Sequence, residues 1–220
     1  MTAYETVLFD NDGVLVDPPA AETQAGAIRA AFAEVGVEDP TDQHVDALAS
    51  GVTVDALTEI SSHHGLDPGT LWSTRERLDE QSQFAAFRAG ERDRYDDVSA
   101  IFDLPQPCGV VSNNHHSTIE FVLDFFDLDD AFETYYGREM TVESIDRKKP
   151  NTHYLDRAHE ALGGGSALYV GDSESDVVAA QRAGMDSVFV RRSHNRDVSM
   201  SVTPTYEIET LDEIADVVTE

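Results

Sequence analysis

The amino-acid sequence predicts an α/β fold: a doubly wound, Rossmann-like parallel sheet core with an all-helical cap inserted after the first strand. Three observations predict it. Short apolar runs rich in β-branched residues recur along the chain, which is how strands buried on both faces read. Helical patterns separate most of them, and alternation of the two favours a parallel sheet. One long interval near the start contains helical patterns and no strand.

The first strand is Thr6–Phe9, and from about Pro18 to Gly90 the pattern is helical throughout. "AAETQAGAIRAAFAEVGV" reads as a helix ending near Gly36. "TDQHVDALAS" and "TVDALTEISSHHG" read as two more, with Thr41 and Thr53 as N-caps. A fourth, "DPGTLWSTRERLDEQSQFAAFRAG", opens with proline in its first turn and stops at Gly90. The core then resumes with strands at Gly109–Ser112, Ala167–Val170 and Ser187–Arg191, and weaker ones at Thr134–Tyr136 and Thr205–Ile208. Helices lie between them, spaced by Ile119, Val122, Leu123 and Phe126, by Tyr154, Leu155, Ala158 and Leu162, and by Val177 to Ala183. The expected division is therefore 1–17 with 91–220 as the core, and 18–90 as the cap. Gly163–Gly165 precedes a strand instead of following one, so it reads as a flexible turn and not as a phosphate loop.

Composition excludes several function classes. The net charge is −28, which argues against nucleic-acid and anionic-membrane partners, because phosphate backbones need Lys and Arg to neutralise them. Only two of 15 basic residues are lysines, Lys148 and Lys149. So many carboxylates with so few lysines suggest a halophilic, salt-rich cytoplasm where screening is short-ranged. No apolar run reaches the length of a membrane span. "MTAYETVLFD" has neither a basic n-region nor an apolar h-region, so a cytoplasmic protein is expected. The single Cys108 rules out an internal disulfide and reads as a packed thiol. Size and charge permit a monomer, and nothing speaks against an oligomer.

The chemistry is sought at the carboxyl ends of the strands, where open α/β sheets bind ligands. Asp10-Asn11-Asp12-Gly13 follows the first strand. With 25 aspartates in 220 residues, about three D-x-D triplets arise by chance, so this one alone is weak. The second core strand ends in Ser112-Asn113, another in Gly171-Asp172-Ser173 with Asp176 four residues on, and a loop carries Lys148-Lys149-Pro150-Asn151. Carboxylates, a hydroxyl and an ammonium thus arrive at one edge from separate elements, which chance does not readily supply. Paired histidines, His63-His64 and His115-His116, are set aside as metal sites, because neighbours on a helix face different ways.

In this order the segments "FDNDGVLVD", "SNN", "KKPN" and "GDSESD" resemble the signatures of the haloacid dehalogenase-like hydrolase superfamily, in the helical-cap subgroup that includes phosphoglycolate phosphatases and β-phosphoglucomutase. The resemblance spans residues 6 to about 191. It implies a Mg²⁺-dependent phosphatase acting on a small phosphorylated metabolite, phosphoglycolate-like or a sugar phosphate. In that pattern Asp10 attacks phosphorus to give an aspartyl-phosphate, and Asp12 serves as general acid and then base. Gly13, Ser112, Asn113 and Lys149 meet the phosphoryl group. Asp10, the main-chain carbonyl of Asp12 and Asp172 hold Mg²⁺, with Asp176 aligning a metal-bound water or Lys149. Lys149 is preferred to Lys148 because it abuts Pro150, although Thr152 stands where the pattern has a second proline. The residue types suit this chemistry on their own account: a phosphate dianion repels a carboxylate nucleophile unless a hard cation neutralises the site.

Two alternatives remain. A phosphomutase of the same superfamily is disfavoured, because the linker "VDPPAAETQ" and the cap turn Ser50–Val52 lack the basic residues such caps use. A phospho-accepting, receiver-like signalling module also places Asp and Lys at strand ends, but needs neither a helical insert nor a second acid such as Asp12. Cap arginines Arg29, Arg75, Arg77 and Arg88 could meet a substrate anion, or pair with the many surface acids.

Overall fold

The structure, a computed structural model, describes residues 4–49 and 51–219. They separate into two compact units. The first, residues 1–18, 93–138 and 148–220, contains every strand: β1 (Thr6–Phe9), β2 (Cys108–His115), β3 (Thr134–Arg138), β4 (Ala167–Gly171), β5 (Asp186–Val190) and β6 (Tyr206–Ile208). All pair in parallel in the order β3-β2-β1-β4-β5-β6. Winding reverses at β1, which puts a crevice at its carboxyl end.

The strands are apolar because both faces are covered. On one face Leu8, Val111 and Tyr169 pack with Tyr154, Leu155 and Ala158 of α6 (His153–Ala161) and Ala179 and Ala180 of α7 (Glu174–Ala183). On the other, alternation turns Phe9 toward Phe132, ring centroids 6.0 Å apart and edge-on. Each fully buried Leu or Phe of this kind contributes roughly 1.5–3 kcal/mol. Cys108 opens β2 as a buried thiol, its Sγ 3.3 Å from the Gln106 carbonyl. Burial, assisted by the charge of Glu133, pushes its pKa up to about 12. All three glycines of Gly163–Gly165 have positive φ, as the flexible turn requires.

Two features depart from the linear reading. β2 runs on to His115 instead of ending at Ser112, with an irregular register against β3 between Val111 and His115. Arg138 Nε donates to the Asn113 carbonyl at 2.7 Å, which holds this tail to β3 after the apolar run has ended. The segment Asp96–Asp103, which carries no clear 3.6-residue pattern, is a 3₁₀ helix. It is anchored by Asp97, whose carboxylate takes a two-pronged pair from Arg192 (2.6 and 2.9 Å), the Leu211 N–H and the Thr210 hydroxyl.

The second unit comprises residues 19–92 and 139–147. Its helices are α1 (Ala21–Glu34), α2 (Asp42–Ala49), α3 (Val54–His64) and α4 (Pro68–Arg88). Two caps follow the sequence signals: Thr41 Oγ1 accepts from His44 N at 3.2 Å and Thr53 Oγ1 from Ala56 N at 3.1 Å; Asp67, not singled out in the sequence, accepts from Thr70 N at 2.8 Å ahead of Pro68. Ile28, Phe32, Leu48, Leu57, Leu71 and Trp72 make the core of the unit. The linear division left residues 139–147 in the sheet domain. They pack in the helical unit instead, because Ile145 joins its core and the Trp72 indole donates to the Thr141 carbonyl at 3.0 Å. Arg29 pairs with Asp42 and Arg77 with Glu34 at the surface, while Arg75 is buried against Glu76 at 2.6 Å. Of the turn Ser50–Val52, Ser50 lies outside the described residues. Among the described residues no helix is long and apolar enough to cross a membrane.

Candidate active site

β1 delivers Asp10 to the sheet edge, where its N–H donates to the Val170 carbonyl of β4 at 2.8 Å. One carboxylate oxygen, Oδ1, accepts from Asn11 N at 2.8 Å, and the other, Oδ2, lies 3.0 Å from Lys149 Nζ. The chain then turns at Gly13, whose φ is +80°. The expectation there was a tight turn. The structure adds a close approach, since a Cβ on Gly13 would fall on the Asp172 carboxylate and 3.1 Å from His194 Nε2.

Asp12 is half-buried, and amides hold its carboxylate from both sides: Asn11 Nδ2 at 3.2 Å and Asn114 Nδ2 at 2.7 Å. Ser112 is buried in β2, its hydroxyl accepting from Asn114 N at 3.2 Å. Asn113 behaves differently from a free ligand-binding amide. Its Oδ1 accepts from Lys149 N at 2.7 Å and its Nδ2 donates to the Lys149 carbonyl at 3.3 Å, so the side chain braces the lysine loop.

Lys149, before a cis peptide bond to Pro150, is buried with its ammonium 2.7 Å from Asp176 Oδ1, 2.6 Å from the Tyr169 hydroxyl and 3.3 Å from the Val111 carbonyl. Burial works against this ammonium, but Asp10 and Asp176 outweigh it and hold the pKa above the ordinary lysine value. Asp176 is both a helix-start acid and a lysine partner. Its Oδ2 accepts from Asp172 N, Ser173 N and the Ser173 hydroxyl while Oδ1 faces Lys149. Asp172 is held by the loop after β5: His194 Nε2 lies 2.6 Å from its Oδ2, and Asn195 Nδ2 donates to its carbonyl at 2.8 Å.

One carboxylate oxygen each from Asp10, Asp172 and Asp176 lies within 4.8 Å of the others. Burial, then the charges of Asp176, Asp172 and Asp12, push Asp10 up to about 8 despite the opposing pull of Lys149. Asp172 is likewise raised, by burial first and by Asp176, against His194. One ammonium does not balance these carboxylates. An all-oxygen donor set with surplus negative charge fits a small hard cation such as Mg²⁺.

Four contributors went unpredicted. Asn114, His194 and Asn195 lie near the end of β2 and just after β5, at the carboxyl edge that directed attention to Asp10, whereas Tyr169 sits mid-strand in β4 and reaches Lys149 through its hydroxyl. The strand-end rule reaches the first three, and Asn114 closes the "SNN" segment, but only Ser112 and Asn113 were singled out there. His115 and His116 do not join the cluster. His115 Nδ1 is 3.3 Å from the Thr118 hydroxyl, and His116 stacks on Tyr135 with centroids 5.0 Å apart.

The sequence profile of a family described as haloacid dehalogenase-like hydrolase matches residues 7–190. No curated protein matches the chain significantly. Among solved structures, CbbY from Rhodobacter sphaeroides in complex with phosphate is similar, at TM-score 0.72 and 18% identity over 96% of each chain. A predicted phosphoglycolate phosphatase from Haemophilus somnus is similar at TM-score 0.66 and 19% identity over 99% of each. A HAD-superfamily hydrolase of subfamily IA from Geobacter sulfurreducens gives TM-score 0.61 and 22% identity over 99% of this chain and 97% of that one.

Proposed function

The chain belongs to the haloacid dehalogenase-like hydrolases, and we propose that within them it is a Mg²⁺-dependent phosphatase that cleaves a small phosphate monoester through an aspartyl-phosphate on Asp10. One observation carries the reading: Asp10 stands within hydrogen-bonding distance of the Lys149 ammonium, beside Asp172 and Asp176, with the acid Asp12 held separately by two amides. Phosphoglycolate-like compounds and sugar phosphates are the substrate class, in line with the similar fold of a predicted phosphoglycolate phosphatase.

An Asp10 carboxylate oxygen attacks phosphorus as the bond to the leaving alcohol breaks, and Asp12 supplies the proton that alcohol needs. Water then attacks phosphorus of the aspartyl-phosphate as Asp12 takes its proton, the bond from phosphorus to the Asp10 oxygen breaks, the Asp10 carboxylate is regenerated and inorganic phosphate is released. Lys149, the Ser112 hydroxyl and neighbouring main-chain N–H groups would meet the equatorial oxygens, over which the transition-state charge spreads. Asp10, Asp172 and the Asp12 carbonyl would hold Mg²⁺, which when bound neutralises the phosphate dianion and the surplus carboxylate charge. Asp176 keeps Lys149 in position.

The test is phosphate release from p-nitrophenyl phosphate with Mg²⁺ in molar KCl, comparing the protein with Asp10→Asn. Turnover that disappears in the variant is expected. A folded wild type without turnover under these conditions removes the proposal, and a panel of phosphorylated metabolites then ranks substrates.

A further inference from the structure

The helical unit gathers three histidines whose role the hydrolytic chemistry does not require. His44 lies in the first turn of α2, and His63 and His64 close α3 just before Gly65. A ring nitrogen from each lies within 4.8 Å of the other two, and His44 Nδ1 is 2.9 Å from His64 Nε2. The rings meet edge-on, with centroids 4.9–5.0 Å apart. Phe32 of α1 packs edge-on against His64 at 5.3 Å, while His63 is exposed. His63 and His64 were set aside because neighbours on one helix diverge. Here α3 ends at this pair, and α2 supplies the third ring from nineteen and twenty residues earlier, which no single-helix argument reveals.

We propose that His44, His63 and His64 form a binding site for one borderline divalent transition-metal ion of the Zn²⁺ type, with water in the fourth position. Imidazole nitrogen suits Zn²⁺, Ni²⁺ or Cu²⁺ and not Mg²⁺, and three protein ligands plus water is a familiar zinc arrangement. Zinc–nitrogen bonds of about 2.0–2.1 Å place tetrahedral donors about 3.4 Å apart. The 2.9 Å pair needs a small opening and the exposed His63 ring a rotation. The net charge of −28 also concentrates divalent cations around the chain. This donor set is nitrogen and the Asp10–Asp172–Asp176 set is oxygen, so the two sort different ions. An ion here cross-links α2 to α3 across their connecting turn.

The test uses the full chain with Co²⁺ as a spectroscopic probe in excess Mg²⁺. Expected are intense visible bands of low-coordinate Co²⁺ at one equivalent, displaced by Zn²⁺, and a rise in thermal midpoint on Zn²⁺ addition. Asp172→Asn should keep both. His44→Ala and His63→Ala should weaken Zn²⁺ binding at least about tenfold, since losing a ligand costs no less than losing its outer support. His63 is exposed, so its variant folds whatever becomes of His44→Ala. Absent bands, bands that titrate as tightly in His63→Ala as in the unaltered protein, or bands lost only in Asp172→Asn would each overturn the proposal.

Discussion

A Cβ on residue 13 would collide with Asp172 Oδ2, because Gly13 turns with φ +80° directly against that carboxylate. Gly13→Ala therefore has to move Asp172, and it adds roughly 1–2 kcal/mol of left-handed backbone strain. The expected result is a half-saturating Mg²⁺ concentration raised about 10–100-fold, as for other losses of metal-ligand support. A Mg²⁺ titration of p-nitrophenyl phosphate hydrolysis reads it, and an unchanged midpoint counts against the role given to Asp172.

Lys149 is the ammonium that faces both Asp10 and Asp176 in a buried site. Lys149→Met leaves those carboxylates without it. We expect a loss of about 3–5 kcal/mol in denaturant unfolding without metal, the usual cost of breaking a buried pair. Mg²⁺ should restore part of it, because a ligand of the native state stabilises that state. A variant as stable as wild type in chelator contradicts this reading.

Asn114 orients Asp12, whereas Asn113 braces the Lys149 peptide. An oriented acid matters most when the leaving alcohol is a poor one. Asn114→Ala should slow an alkyl phosphate about tenfold more than p-nitrophenyl phosphate, a part of the ~10²–10⁴ that general acid catalysis supplies. Asn113→Ala should slow both alike. Equal effects of Asn114→Ala on both substrates would detach Asn114 from proton transfer.

Asp97 carries the pH prediction. Burial raises its pKa, but the hydrogen bonds from Arg192, Leu211 N and Thr210 prevail and hold it below the ordinary carboxylate value. A folded pKa below the unfolded one stabilises fully above the unfolded value of about 3.9, and the gain is lost as pH falls through the folded value. Asp97→Asn should thus cost about 3 kcal/mol at neutral pH, and the gap to wild type should narrow only below about pH 4. Chemical unfolding from pH 3 to 7 measures it, and a gap independent of pH refutes it.

The strands and most helices were legible because burial on both faces forces apolar runs such as Thr6–Phe9, and because caps such as Thr41 and Thr53 use local chemistry. Asp10 and Asp172 were legible for a related reason, since each directly follows a strand, and Ser112 was reached by the same rule although β2 runs three residues past it. What escaped depends on distant partners. The β2 tail is held by Arg138, 25 residues on from Asn113, and residues 139–147 join the helical unit through Trp72. His194 reaches Asp172 across 22 residues from a loop with no pattern of its own. Such contacts exist only once the sheet has brought its edges together.

Cys108 offers a practical opening. The sole thiol of the chain is sealed at the start of β2, and burial pushes its pKa up to about 12, so maleimides and iodoacetamides should leave the folded protein untouched. Any cysteine engineered onto the surface becomes a unique attachment point for a dye or spin label, with no background mutation needed.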